Sequence, residues 1–235
     1  IYLTLFSVEI FLHFKSDDLL LPKKANFRTK AKIAAWKRHE TFDNRTTYEV
    51  IQELHQVGVK NVYAAVSPAF FMHVDNSGKK DSKIRYKGKE FYPLALIPFS
   101  TNVYCREGSR YLVYNTDEKG FVNPVGQWKN NNADIVAVGD SFTQGACVKP
   151  GEGFVDLIRN RYPNTINLGC GANGPFQNLA VIREYASILK PKLVLWFHFE
   201  NDLIDIKRDK DYKLLQKYLS PNFSRNLRIC TSIVL

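Results

Sequence analysis

Residues 134–145 read Asp-Ile-Val-Ala-Val-Gly-Asp-Ser-Phe-Thr-Gln-Gly, DIVAVGDSFTQG. Residues 134–138 suit a buried strand, and the strand runs straight into Gly139-Asp140-Ser141. A serine at that point has an exposed oxygen and a backbone N–H with no intrahelical acceptor. Gly139 supplies the bend and Asp140 a side-chain acceptor for the turn, so the triplet read alone is equally a tight capped turn. The residues downstream decide between the two. A loop passes through Pro150-Gly151, then Phe154, Leu157, Ile158 and Tyr162 recur at helical spacing. A second strand is expected over 165–168. Pro175 suits the start of the next helix, where its missing N–H is harmless, and Lys190-Pro191 ends it. Residues 192–197, KLVLWF, form a continuous apolar run of the kind covered on both faces in a parallel sheet. Strand, helix, strand, helix, strand predicts an α/β fold with a doubly wound sheet.

Ligands of such sheets bind beyond the carboxyl ends of the strands. Three groups fall there: Ser141, the loop Gly169-Cys170-Gly171-Ala172-Asn173-Gly174, and Glu200-Asn201-Asp202. A serine hydroxyl can attack a carbonyl while its own N–H, a loop N–H and an asparagine amide face the developing oxyanion. Gly171 and Ala172 are both candidates for the loop donor, and Asn201 for the side-chain donor. Asn173 and Gly174 are expected to cap the following helix.

The 235 residues carry 33 Lys/Arg against 23 Asp/Glu, and 20 of the basic residues precede position 134. No nucleic-acid motif accompanies them, so a solvated surface is the reading, with no nucleic-acid partner. The cysteines at 105, 147, 170 and 230 show neither zinc-ligand nor C-x-x-C spacing. Cys147 and Cys170, near the serine, read as small buried fillers without a basic neighbour to stabilise a thiolate. Residues 1–14, IYLTLFSVEIFLHF, are apolar but shorter than the roughly 20 residues that span a bilayer. They read as the end of a membrane segment, with a short buried helix or strand as the alternative.

Upstream, Thr46-x-x-Glu49 forms a capping box ahead of Val50, Ile51, Leu54 and Val57, and Gly58 supplies a stop. A strand over 59–66 ends at Ser67-Pro68, and residues 75–132 read as a loop-rich connector with short aromatic strands. Three segments result: 1–22, the membrane segment end and linker; 23–132, an upstream α/β loop-rich region; and 133–235, the core around the serine.

GDSFTQG, NLGCGANGP and ENDL, in that order at successive strand ends, resemble the first three blocks of the SGNH, or GDSL-like, hydrolase superfamily. The longer runs VAVGDSFTQGACVKPGEGFVDLIRNRYPNTINLG and REYASILKPKLVLWFHFENDL are similar to a bacterial SGNH group with an N-terminal membrane segment. FDNRTTYEVIQEL and YNTDEKGFVNP match its upstream region. The resemblance implies a three-layer α/β/α flavodoxin-like sheet, incomplete at its C-terminal side. It implies a serine esterase or acylhydrolase without metal or cofactor, acting through an acyl-serine on a small-molecule or carbohydrate ester. Ser141 would be the nucleophile, Gly171 or Ala172 with Asn201 the oxyanion hole, and Gly139 and Asp140 the turn support. A membrane-associated, extracytoplasmic location would follow.

The pattern departs from the family in three places. Counting from Asn167, the family's oxyanion glycine falls on Ala172, and alanine can serve there if its dihedrals are ordinary, because the backbone N–H is the working group. A glycine usual before Asn-Asp is absent from Phe199-Glu200-Asn201-Asp202, and none of the histidines at 13, 39, 55, 73 and 198 has an Asp three positions earlier. The family's Asp-x-x-His base is thus missing, and a serine without a base is a weak nucleophile. The chain taken alone is expected to be nearly inactive, with His198 a packed or rim residue and His55 and His73 on the surface. Two other readings stand beside the hydrolase. One is an O-acyltransferase acting on surface polysaccharide. The other is a noncatalytic carbohydrate-binding or scaffold protein, or a phosphate-binding one, of similar fold.

Overall fold

The computed structural model describes residues 27–74, 80–82, 84–86, 89–104, 109–225 and 227. The apolar stretch 1–14, and Cys105 and Cys230, lie outside them. The chain divides into two compact units, residues 1–43 with 106–110, and residues 44–105 with 111–235. The divide expected at 132/133 falls inside the second unit.

In the first unit, α1 (Phe27–Lys37) buries Ala31 and Ala35. Lys32 lies 5.5 Å over the Phe42 ring, and the Asp43 N–H donates to the Ser109 carbonyl at 2.6 Å. No helix among the described residues is long and apolar enough to cross a membrane.

The second unit opens with α2 (Thr47–Gln56), capped as the sequence leads one to expect. Thr46 Oγ1 accepts the Glu49 N–H at 3.2 Å, and Glu49 Oε2 accepts the Thr46 N–H at 2.6 Å. Val57 falls outside the apolar rhythm assigned to it, because the helix has ended and the side chain is exposed. Thr46→Ala is expected to cost about 1 kcal/mol, read as a lower urea midpoint.

The strands β1 (Val62–Ala64), β6 (Thr101–Val103) and β7 (Val113–Asn115) form one sheet in the order β1-β6-β7, with β1 and β6 parallel. The intervening β2 (Met72–Val74), β3 (Lys80–Ser82), β4 (Ile84–Tyr86) and β5 (Lys89–Phe91) make two antiparallel pairs. The region read as a connector therefore supplies two strands to the upstream sheet. Short strands are expected there, but at three residues each their alternation does not reveal that they join β1 in one sheet.

The second sheet carries the serine motif. Its strands β8 (Ile135–Val138), β9 (Thr165–Asn167) and β10 (Leu193–Trp196) are all parallel, in the order β10-β8-β9. β8 is central and buried throughout. Val136, Val138, Ile166 and Leu168 share a core with Ala180, Val181, Tyr185 and Leu189 of the following helical segment. That segment comprises α5 (Pro175–Val181), a widened π turn at Ile182–Ala186 and α6 (Ser187–Leu189). Between β8 and β9 lie α3 (Ser141–Gln144) and α4 (Phe154–Arg161), and Phe154 packs edge-on against Phe197 at 4.8 Å. Pro175 occupies the first helical turn, and Lys190, before Pro191, turns left-handed at φ 43°. α7 (Asp202–Asp209) and α8 (Lys213–Gln216) follow β10.

The expectation that residues 192–197 are covered on both faces does not hold among the described residues. Leu193, Val194 and Trp196 are 48%, 39% and 37% exposed, because β10 is the edge of its sheet and not an interior strand.

Glu184, 1% exposed in the π turn, holds the chain's later segment in place. Its Oε1 accepts the Tyr218 hydroxyl at 2.8 Å and the Arg225 N–H. Its Oε2 accepts the Ser224 hydroxyl and the Leu227 N–H, each at 3.0 Å. Glu184→Gln turns one oxygen into a donor. The facing hydroxyl can rotate to accept it, but the facing backbone N–H is stranded. The expected loss is about 1–3 kcal/mol, measured by urea denaturation.

Candidate active site

At the carboxyl end of β8 the chain turns at Gly139, where a Cβ would lie 2.1 Å from Thr143 Oγ1. Only glycine fits so close an approach. Asp140 caps α3: its Oδ1 accepts the Phe142 N–H at 3.0 Å and its Oδ2 accepts the Asn201 amide at 3.3 Å. Ser141 is the first residue of α3 and half-buried. Neither its hydroxyl nor its N–H has a hydrogen-bond partner among the described residues. The next ring, Phe142, lies exposed against Phe199 with centroids 4.4 Å apart, so the ends of β8 and β10 meet beside the serine.

The loop after β9 closes on α3 backbone to backbone. A Cβ at Gly169 would meet the Gln144 nitrogen at 2.4 Å. Asn167 donates to the Thr143 carbonyl at 2.7 Å, and Gln144 Oε1 accepts the Gly171 N–H at 2.5 Å. Around the place a Gly171 Cβ would take stand the Tyr104 hydroxyl at 2.4 Å and, each at 3.2 Å, the Ser67 hydroxyl and Gln144 Oε1. The upstream sheet thus walls the loop through residues at the ends of β1 and β6. Tyr114 of β7 also donates its hydroxyl to the Val148 carbonyl at 2.9 Å.

The two candidate loop donors differ. The Gly171 N–H is committed to Gln144. The Ala172 N–H has no acceptor among the described residues, but Ala172 adopts a left-handed φ of 62°, not the ordinary dihedrals on which alanine's serving in this role depended. Arg208 holds that conformation by donating to the Ala172 carbonyl at 3.1 Å while paired with Asp205 and Asp209. Asn201 comes to the rim, but its amide donates to Asp140 and, at 3.0 Å, to Asp205. Its two protons are committed to carboxylates.

Gly174 is the N-cap of α5 and its N–H donates to Gln177 at 2.7 Å. Asn173, expected to cap the same helix, instead reaches the Leu94 carbonyl at 3.4 Å. Cys170 is a buried free thiol, pushed up to about 12 by burial. Cys147 is half-buried and disulfide-bonded at φ 63°, not a simple filler. His198, 55% of its side chain exposed, sits on the rim with Nδ1 3.2 Å from the buried Asp202 Oδ2 and its ring against Trp196. His55 is exposed, and the His73 side chain lies outside the described residues. Among the described residues no group of His, Cys, Asp and Glu could hold a metal ion.

Burial, reinforced by the charges of Asp202 and Asp205, raises the Asp140 carboxyl above the ordinary carboxylate range, although two donors oppose it. A raised folded pKa means that its contribution to stability is full below about pH 4 and is lost as pH rises through the raised value. Asp140→Asn keeps an acceptor for the Phe142 N–H and removes the titration. Apart from a constant offset, the variant should gain on the native protein as pH rises through that window, measured as urea midpoints at a series of pH values.

Sequence reasoning missed Gln144, Asn167, Tyr104 and Arg208. Gln144 stands inside the quoted motif, three residues after the serine and so on its face of the helix, which was the available signal. A groove of about 280 Å³ lined by Arg45, Val50, Glu53, Leu54, Val57, Tyr111 and Val113 contains no serine, cysteine or histidine, and its Arg45 and Glu53 are paired with each other. No protein-family model, no curated protein and no solved structure matches the chain.

Proposed function

We propose that this chain is a serine ester hydrolase of the SGNH type, built on a three-layer α/β/α flavodoxin-like sheet. The carrying observation is that three strand ends meet on one rim around Ser141, whose hydroxyl and N–H, like the Ala172 N–H in the adjoining loop, are unclaimed among the described residues. In this reading Ser141 Oγ attacks the ester carbonyl as its proton passes to a base. The carbonyl oxygen, now negative, is met by the Ser141 and Ala172 N–H groups. The carbon–oxygen bond to the alcohol breaks, the alcohol leaves with the proton, and water attacks the acyl-serine to release the acid.

Phe142 and Phe199 form an apolar shelf beside the serine, which suits the acyl portion of a small-molecule or carbohydrate ester. The base is the one role that no Asp-x-x-His pair in the sequence fills. His198, oriented by Asp202 on the same rim, is the histidine to test for it. The disulfide at Cys147 supports an oxidising, extracytoplasmic compartment, where a membrane segment at the N-terminus would tether the enzyme.

Acid-quenched mixtures of the protein with p-nitrophenyl acetate test the reading. Mass spectrometry should find a single acetyl group on the peptide carrying Ser141. An adduct elsewhere, or none during turnover, overturns the reading. Loss of acylation in His198→Ala with recovery in added imidazole would assign the base to that residue; retention would place the base elsewhere.

A further inference from the structure

We propose that Gln144 is a positioning residue that selects the oxyanion donor. The inference rests on the acyl-serine reading and deepens it. Gln144 ends the helix that Ser141 begins, and it is only 3% exposed. Its Oε1 takes the Gly171 N–H at 2.5 Å. That bond fixes the amide's orientation, because a flipped amide would set donor against donor. It also removes Gly171 from the oxyanion hole and leaves the next amide, that of Ala172, unclaimed.

The residue has no slack. Its Nε2 is buried without a partner, so the single bond to Gly171 is what the side chain is placed for. The Tyr104 and Ser67 hydroxyls crowd the place a Gly171 Cβ would take, beside Gln144 Oε1, so that no larger residue fits between them. The upstream sheet therefore packs against Gly171 where Gln144 clasps it. Together they set the spacing between the Ser141 N–H and the Ala172 N–H, on which oxyanion stabilisation depends. Ala172 keeps its left-handed φ of 62° because both neighbouring attachments hold it, the Gly171 N–H on one side and the Arg208 contact to its own carbonyl on the other.

The experiment compares the full-length protein with Gln144→Leu, which removes the acceptor, and Gln144→Glu, which keeps it. Two readouts are used: hydrogen exchange of the 169–174 amides, and kcat and KM for p-nitrophenyl acetate. Gln144→Leu should speed exchange of the Gly171 amide at least tenfold and lower kcat on the order of 10²-fold, the usual effect of losing one oxyanion donor. KM should stay within about twofold, because the ground-state ester does not use that donor. Gln144→Glu should restore slow exchange and most of kcat. If Gln144→Leu does not fold, Gln144→Asn, whose acceptor is withdrawn by one methylene, should show the same split. Unchanged exchange and kcat in Gln144→Leu overturns the assignment, as do losses in the Leu and Glu variants that simply follow their urea midpoints. Wild-type turnover that survives Ser141→Ala overturns the acyl-serine reading itself. Turnover that needs Ser141 but ignores Gln144 overturns only the positioning role.

Discussion

Ser141→Ala should abolish acetylation at that position, and with it any p-nitrophenyl acetate turnover above that of direct water attack, while leaving the fold intact. The two halves of this expectation have separate causes. Turnover falls because alanine cannot form the acyl intermediate, and the oxyanion donors that remain can assist only direct attack by water. Stability should hold within about 0.5 kcal/mol, because the hydroxyl has no hydrogen-bond partner among the described residues and alanine suits a first helical turn. Kinetics and urea denaturation on the same preparation separate them. Turnover equal to that of the native protein would remove Ser141 from the chemistry, and a loss matched by unfolding would make it structural.

Asp117→Asn should cost about 2–5 kcal/mol of folding stability, although the substitution barely changes shape. Asp117 is fully buried and each carboxylate oxygen accepts two bonds. Oδ1 takes the Lys119 and Phe121 N–H groups at 2.8 and 3.0 Å. Oδ2 takes the Asn123 amide and the Trp128 indole N–H, both at 2.8 Å. An asparagine NH₂ on either side meets two donors; three of the four cannot accept, and Asn123 could turn its oxygen inward only by releasing the Asn167 N–H and Arg159. Glu184 differs in this respect, since two of its four partners are hydroxyls that rotate.

The effect should reach the site. Asn123 Oδ1 accepts the Asn167 N–H and the Arg159 guanidinium at 2.8 Å each, and Asn167 in turn clasps the Thr143 carbonyl beside Gln144. Urea denaturation followed by Trp128 fluorescence checks the figure, with the part-exposed neighbour Glu118→Gln as a control expected within about 0.5 kcal/mol. A loss in Asp117→Asn no larger than the control's would mean that the four-donor cradle is not what holds this loop.

Local features could be read from the chain because their causes lie within a few residues. The Thr46/Glu49 box, the turn at Gly139, Pro175 at the head of α5 and the stop at Lys190-Pro191 follow from short-range sterics and capping. The buried strand at β8 followed from an apolar run of the right length. Gln144 was visible in the motif but silent, because a glutamine acquires meaning only from the amide placed against it. The same holds for Asp117 and Asn123, whose partners on Trp128, Arg159 and Asn167 are distant in sequence.

The sequence by itself determined where the strands and turns of residues 134–197 begin and that a serine stands at a strand mouth, since hydrophobic period and turn chemistry are local. Only the tertiary structure decided that three-residue strands pair over long separations, that β10 is an edge, and which of two adjacent amides is left unclaimed beside the serine. Those outcomes depend on which hydrogen-bond acceptors packing brings within about 3 Å, a quantity that no spacing along the chain encodes.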